Sequence, residues 1–478
     1  MDLALPLAAW LVPVLVVGGV VLGLVADALD RRPSAIVLIA LGLGGASVAG
    51  FVLSGSTQPG IAMGVLAYGS GFTALPALGY GLAALAVIAG FRRYATADRG
   101  PGMAALIALG SVFAHALLAG LDLIVLFVSL SGLAVVAYAL VAGAGTRRAE
   151  ESAVRYFVQG TIASGLTLYG LALVFGLTGG DASFLTGSSA LGSVESRPAL
   201  LALALVLSAF AFKLGAFPFH AWVPDAYENA DSTSAAFLSS VPKLAALVAL
   251  LVIVRGTLFQ ADLFASATSL LVAIGVGSLL FGSFGMVRQQ SVARLLGYSG
   301  IAQVGYGLLA ISSGDAGIQA TIVFIVTYAV GASAAFIALE AVGRVRPEWD
   351  GTRAGMAGIA RRSPLLGVAL TVAMLSLTGI PLFAGFWGKL HVFAALLSND
   401  SVVLAIVAGV AAVVSFGGYG SVIRAAYFED SNVNDDETVG EWGGSPLVVS
   451  IVLALAILAL GIVPLLTGIS RVYALFSL

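Results

Sequence analysis

Fourteen runs of mostly apolar residues, separated by short polar connections, fix what this chain can fold into. A run of about 20 residues makes a helix roughly 30 Å long, the thickness of the hydrocarbon core of a bilayer. The runs fall near residues 3–26, 34–54, 72–91, 103–120, 122–143, 152–176, 198–219, 232–254, 263–285, 291–311, 316–342, 363–397, 400–427 and 446–468. Only 10% of the residues are charged and 60% are hydrophobic, whereas a water-soluble domain carries about 25% charged residues. The expectation is an all-α integral membrane protein of about 14 transmembrane helices. The first run follows Asp2 with no basic residue before it, which reads as a membrane span and not as a secretory leader. Sixty glycines suit membrane helices that pack backbone against backbone.

The arginines orient these spans, because cytoplasmic connections carry the excess of basic residues. With the N-terminus outside, 16 of the 19 arginines are cytoplasmic: 31, 32, 92, 93, 99, 147, 148, 155, 288, 294, 344, 346, 353, 361, 362 and 424. Arg197, Arg255 and Arg471 fall on the other side. An odd error in the count would scramble that segregation. The expectation is therefore an even number of spans in a cell (inner or plasma) membrane, with both termini on the outer side.

The absence of cysteine excludes protein-ligated iron–sulfur clusters, thiol catalysis and disulfides. A net charge of -2 gives no sign of nucleic acid as a partner. No metal or phosphate-loop motif stands out, so the chain is expected to hold no cofactor; glycine spacings inside apolar spans are packing signals. Lipids are the expected surroundings. The longer cytoplasmic stretches are basic 344–362 and acidic 428–445, the latter with Glu429, Asp430, Asp435, Asp436 and Glu437. Both read as solvated connectors, with docking of a neighbouring subunit as the other reading.

The twelfth run is too long. Thirty-five residues would make a helix of about 50 Å, so it must break, and Gly379-Ile380-Pro381 is the obvious place. Pro381 has no N–H, which frees the carbonyl of Leu377. Irregular backbone at membrane depth is tolerated only where protein or a wet cavity satisfies it, so a break points to a polar path.

The chain has three lysines, Lys213, Lys243 and Lys389, and all lie inside predicted spans, while every basic residue of the connections is arginine. Charges within the membrane are rare and by default functional. A guanidinium stays charged, whereas a desolvated ammonium can release its proton near neutral pH. Lysines reserved for the interior therefore point to proton transfer, against a bland reading as structural cations. Pro218 and Pro242 accompany the first two and free the carbonyls of Leu214 and Leu238, which could hold an ammonium or a water. Polar residues in other spans, among them Ser131, Tyr138, Tyr156, Gln159, Ser164, Tyr298, Ser299, Gln303, Tyr306, Tyr328, Ser376 and Thr378, could extend a hydrated chain across the protein. Of three histidines, His391 is two residues from Lys389 and is a candidate for proton transfer. His220 is placed at the cytoplasmic end of the seventh span, and His115 carries no functional inference.

The stretch from Phe212 to Glu228, Phe-Lys-Leu-Gly-Ala-Phe-Pro-Phe-His-Ala-Trp-Val-Pro-Asp-Ala-Tyr-Glu, closely resembles the seventh-helix signature of the antiporter-like subunits of respiratory complex I. Among these it is most similar to the N subunit of the NADH-quinone oxidoreductase, a family related to multisubunit Mrp-type cation/proton antiporters. Residues 151–157, 294–306, 377–381 and 385–389 carry further similarity, and the whole extends over roughly residues 100–425. The resemblance implies fourteen helices, two inverted five-helix repeats, and broken seventh and twelfth helices. It implies helices one to three over 1–99, a first repeat over 100–256, a second over 257–428, and an acidic loop with the last helix over 429–478. It implies that Lys213, Lys243 and Lys389 relay protons, driven by redox chemistry in other subunits of a complex I-type assembly.

Two departures stand out. The resemblance implies a fifth-helix glutamate that pairs with Lys213, but Ser131 is in its place, and Asp122 lies nine residues earlier, about 13 Å along a helix. The segment Ala230-Asp231-Ser232-Thr233-Ser234 replaces a proline-containing one, and Gln303 stands where histidine is common. Ser131, Asp122 and Gln303 are thus candidates for path or tuning residues. Three readings stay open: a proton-translocating subunit of a complex I-type oxidoreductase without a redox site of its own, a subunit of a cation/proton antiporter or another ion-translocating complex, and a membrane scaffold with a degenerate channel.

Overall fold

A computed structural model describes residues 7–55, 60–62, 65–183, 196–257, 261–429 and 443–467. The acidic positions 430–437 and Arg471 lie outside them. The chain is a helical bundle whose elements run α1 (Leu7–Ala28), α2 (Arg32–Ser54), a small hairpin β1 (Gly60–Ala62) and β2 (Leu66–Tyr68), α3 (Ser70–Ala89), α4 (Phe91–Thr96), α5 (Gly100–Ala119), α6 (Leu123–Ala142) and α7 (Arg147–Leu177). There follow α8 (Ser196–Leu214), α9 (Trp222–Asn229), α10 (Ser232–Thr257), α11 (Ala261–Val287), α12 (Val292–Ile311) and α13 (Ala316–Val345). A 3-10 turn (Ala354–Met356), α14 (Ile359–Arg362), α15 (Pro364–Thr378), α16 (Ala384–Ser398), α17 (Val402–Phe428) and α18 (Gly444–Thr467) complete it.

Among the described residues, twelve helices are long and apolar enough to cross a membrane, or thirteen if the α14–α15 region, bent by 120°, counts as one span. That is fewer than the fourteen runs of the sequence, and the reason is local. Arg294, Tyr298, Ser299, Gln303 and Tyr306 dilute the apolar character of α12. The twelfth run is divided between α15 and α16, which have 15 residues each, about 22 Å of helix.

Helix starts follow side-chain capping. Asp122 accepts from Ile124 N (2.7 Å) at α6, Thr146 from Ala149 N (3.1 Å) at α7, and Ser291 from Arg294 N (3.3 Å) at α12. Asp231 accepts from Ser234 N (2.9 Å) and Ser234 Oγ (2.6 Å), so the unusual segment before α10 is its N-cap. Two stops share a device. Gly215 (φ 71°) follows α8 and Gly379 (φ 90°) follows α15, each in the left-handed region open to glycine. A proline comes soon after each, Pro218 and Pro381, and forbids immediate continuation.

Helices α10 and α13 pack against each other at the centre of the bundle and are the most deeply buried of the long helices. The outer faces are the reverse of a soluble protein's: Val403, Val413 and Leu466 are each more than 70% exposed. Such apolar exteriors belong in lipid or against other membrane subunits. Arg155 of α7 and Arg294 of α12 both reach Asp225 (3.4 and 2.6 Å), so these arginine-bearing ends meet at one end of the bundle.

Candidate functional site

The three lysines are 1–5% exposed, and each is held differently. Lys243 on α10 donates to the carbonyl of Gly300 on α12 (3.1 Å) and lies over the ring of Tyr227 at 5.6 Å. Lys389 on α16 donates to the carbonyl of Thr378 (2.8 Å) and lies over the ring of Tyr306 at 4.8 Å. Thr378 ends α15, where the last carbonyls lack helical partners and carry the negative end of the helix dipole. That makes it a natural seat for a cation. The side chain of Lys213, in the last turn of α8, has no hydrogen-bond partner among the described residues. It borders a cavity of about 20 Å³ between α6, α7 and α8, lined also by Ser131, Ser164 and Thr167.

Two of the carbonyls freed by proline are occupied, but not by ammonium groups. Leu377 O accepts from Gln303 Nε2 (2.8 Å), and Leu238 O from the hydroxyl of Tyr227 (3.1 Å). Pro242 and Pro381 thus free carbonyls that anchor a neighbour of a lysine rather than the lysine itself.

Helix α12 links two of the lysine sites. Gly300, Gln303 and Tyr306 are three residues apart, so they share a face over a rise of about 9 Å. Gly300 receives Lys243, Gln303 holds the carbonyl beside the one that receives Lys389, and the Tyr306 ring underlies Lys389. The hydroxyl of Tyr419 on α17 closes the arrangement, bonded to the hydroxyl of Ser299 and accepting from Gln303 Nε2 (3.2 Å). Tyr306 in turn donates to Ala408 O (2.7 Å).

Other expected site residues lie apart. Asp122 is the N-cap of α6 and does not line the Lys213 cavity. The ring Nδ1 of His391 is 2.9 Å from Trp387 O of its own helix, and residues two apart on a helix do not face each other. His115 pairs with the Tyr80 hydroxyl (3.0 Å), and His220 packs on the ring of Phe281 at 4.0 Å.

Residues 120–415, the core of the lysine-bearing region, match the family described as NADH:quinone oxidoreductase/Mrp antiporter, transmembrane. The chain belongs to that family. It is 33% identical over 353 residues to the NADH-quinone oxidoreductase subunit N of Paramagnetospirillum magneticum, covering 72% of this chain and 71% of the relative. A chain of respiratory complex I from Thermus thermophilus superposes with a TM-score of 0.80 at 26% identity, covering 96% of this chain and 98% of that one. A chain of the membrane-bound sulfane sulfur reductase, an archaeal respiratory membrane complex, superposes with a TM-score of 0.87 at 26% identity, covering 98% of each.

Two features of this family member escaped the sequence reading. Glu340 lies inside the eleventh run, is 3% exposed, and pairs with Arg93 (Nη2–Oε2 2.8 Å). A carboxylate in an otherwise apolar run was signal enough. Tyr419 gave no such signal, because a lone tyrosine in a span is ordinary.

Proposed function

We propose that this chain is a proton-translocating membrane subunit of a complex I-type NADH-quinone oxidoreductase, with the redox chemistry in other subunits. The observation that carries the reading is the placement of Lys243 and Lys389 along one stretch of α12, the first on the Gly300 carbonyl and the second over the Tyr306 ring. Two buried cations, each on a backbone carbonyl, flank the hydrogen-bonded group of Ser299, Tyr419 and Gln303, and protons pass between them with water. Lys213 is the third site, and its cavity has room for a water beside the ammonium.

In this reading the chain spans the plasma membrane fourteen times with both termini outside. Helix α12 and the α15–α16 pair supply the two spans beyond the twelve apolar ones, and their polarity and their break are features of the proton path. The segments 100–256 and 257–428 are inverted repeats, supported by the shared stop of left-handed glycine followed by proline after α8 and α15. The partners are other membrane subunits of the assembly.

The test is purification of the native complex followed by vesicle acidification. Co-purification with flavin- and iron–sulfur-bearing subunits, with NADH-driven proton uptake into inverted vesicles, is expected. Isolation with antiporter subunits alone and cation/proton exchange without an electron donor would sink the proposal, and a sulfur-reducing assembly would reassign its electron acceptor.

The connection through Tyr419 makes a sharper prediction. Tyr419→Phe keeps the ring and removes the hydroxyl that joins Ser299 to Gln303. It leaves buried partners unsatisfied at a cost of about 1–3 kcal/mol. Proton uptake is expected to fall several-fold in vesicles containing fully assembled complex, and an unchanged rate removes Tyr419 from the path.

A further inference from the structure

Lys213 is the lysine whose charge the described residues leave unanswered. Its side chain is 4% exposed, and no acidic residue lines the cavity it borders. An ammonium out of water without a counter-charge costs several kcal/mol. Lys243 and Lys389 meet that cost partly with carbonyl oxygens, but the Lys213 Nζ has no protein acceptor within hydrogen-bond reach among the described residues.

The cavity wall is rich in donors. Ser131 and Ser164 have hydroxyls that make no hydrogen bond among the described residues, and Thr167 turns its proton to Ala163 O (2.7 Å). One ammonium, two available O–H groups and no carboxylate make the donor set of an anion site. The remaining wall is apolar, with Phe127, Leu130 and Phe212. A volume of about 20 Å³ suits one small particle, since a water-sized one needs roughly 10–15 Å³. Ser131 and Ser164 are partly exposed, so the cavity is not sealed from the α6–α7 face.

We infer that this cavity binds a single monatomic halide, of the chloride class, as the counter-ion of protonated Lys213. The anion supplies the charge that Ser131 does not supply, and it stabilises the ammonium for as long as it is bound. Binding stands on the cavity alone; its effect on transport rests on the proton-relay reading above.

Bromide is the probe. In crystals of the intact complex exchanged into bromide, an anomalous peak is expected within about 3.5 Å of Lys213 Nζ. Bromide at the protein surface with this cavity empty overturns the site. The second arm compares electron-donor-driven proton uptake into inverted vesicles in chloride and in gluconate, with potassium and valinomycin clamping the membrane potential. Wild-type uptake is expected to be several-fold slower in gluconate and to recover in bromide, whereas Ser131→Glu, whose carboxylate occupies the cavity, is expected to run equally in both anions. Equal wild-type rates, or an anion dependence that persists in Ser131→Glu, overturn the anion's role in transport. A complex that holds bromide here but moves no protons in any anion refutes the relay reading and leaves the binding site standing.

Discussion

Replacing Lys389 by alanine is expected to abolish redox-driven proton translocation while the complex still assembles. Among the described residues the side chain has one polar contact, to the carbonyl of Thr378, and one aromatic one, to the Tyr306 ring. Truncation leaves a helix-terminal carbonyl without its donor, a loss of about 1–3 kcal/mol that a bundle of this size absorbs. What cannot be absorbed is the loss of the protonatable group at the end of the α12 connection. Lys389→Arg separates charge from exchangeability: guanidinium can satisfy Thr378 O, but it stays charged and does not unload a proton. Assembly near normal with translocation lost is therefore expected for both variants, read as dye-reported acidification of inverted vesicles against the level of assembled complex on native gels. Unchanged pumping in Lys389→Ala would rule out the proposed mechanism.

What was legible in the sequence was whatever a single residue announces by being in the wrong solvent. Three lysines in apolar runs stand out because lipid penalises them, and the over-long twelfth run had to stop somewhere. The structure interrupts it at Gly379, beside the Leu377 carbonyl that Pro381 frees. The occupant of that carbonyl was not legible. Gln303 lies 74 residues away, and its other partner, Tyr419, is 116 residues from it. Pairings at such separations are set by how helices pack and leave no local periodicity to read. Likewise the nine-residue spacing of Asp122 from Ser131 spoke against a substitute partner for Lys213, while the cavity beside Lys213 exists only once α6, α7 and α8 are brought together. The span count differs for a related reason. A helix that lines a polar interior need not be apolar all round, so α12 loses its hydropathy signal where it carries Ser299, Gln303 and Tyr306.

Glu340 and Arg93 give the second large effect, on stability, because they join elements 247 residues apart. Arg93 is on α4, after the first three helices, and Glu340 is near the end of the central helix α13, so the pair fastens the N-terminal helices to the middle of the bundle. The guanidinium donates three hydrogen bonds to the carboxylate, at 2.8, 3.0 and 3.3 Å. The partners are unequal in exposure, 47% for the arginine side chain against 2% for the glutamate. Removing Arg93 leaves a buried carboxylate with Arg344 at 3.6 Å as its remaining ion-pair partner among the described residues, and breaking a buried pair from that side costs about 3–5 kcal/mol. Removing the charge of Glu340 instead leaves an arginine that can turn to water, which is much cheaper. Arg93→Ala is therefore expected to lower the unfolding temperature and the yield of assembled complex sharply, and Glu340→Gln only slightly. The double variant should sit near Glu340→Gln, because the neutral amide no longer needs the guanidinium, and this non-additivity isolates the pair from each residue's other contacts. Thermal unfolding of the purified complex in detergent reads all three, and equal losses for the two single variants would show that exposure does not set the asymmetry.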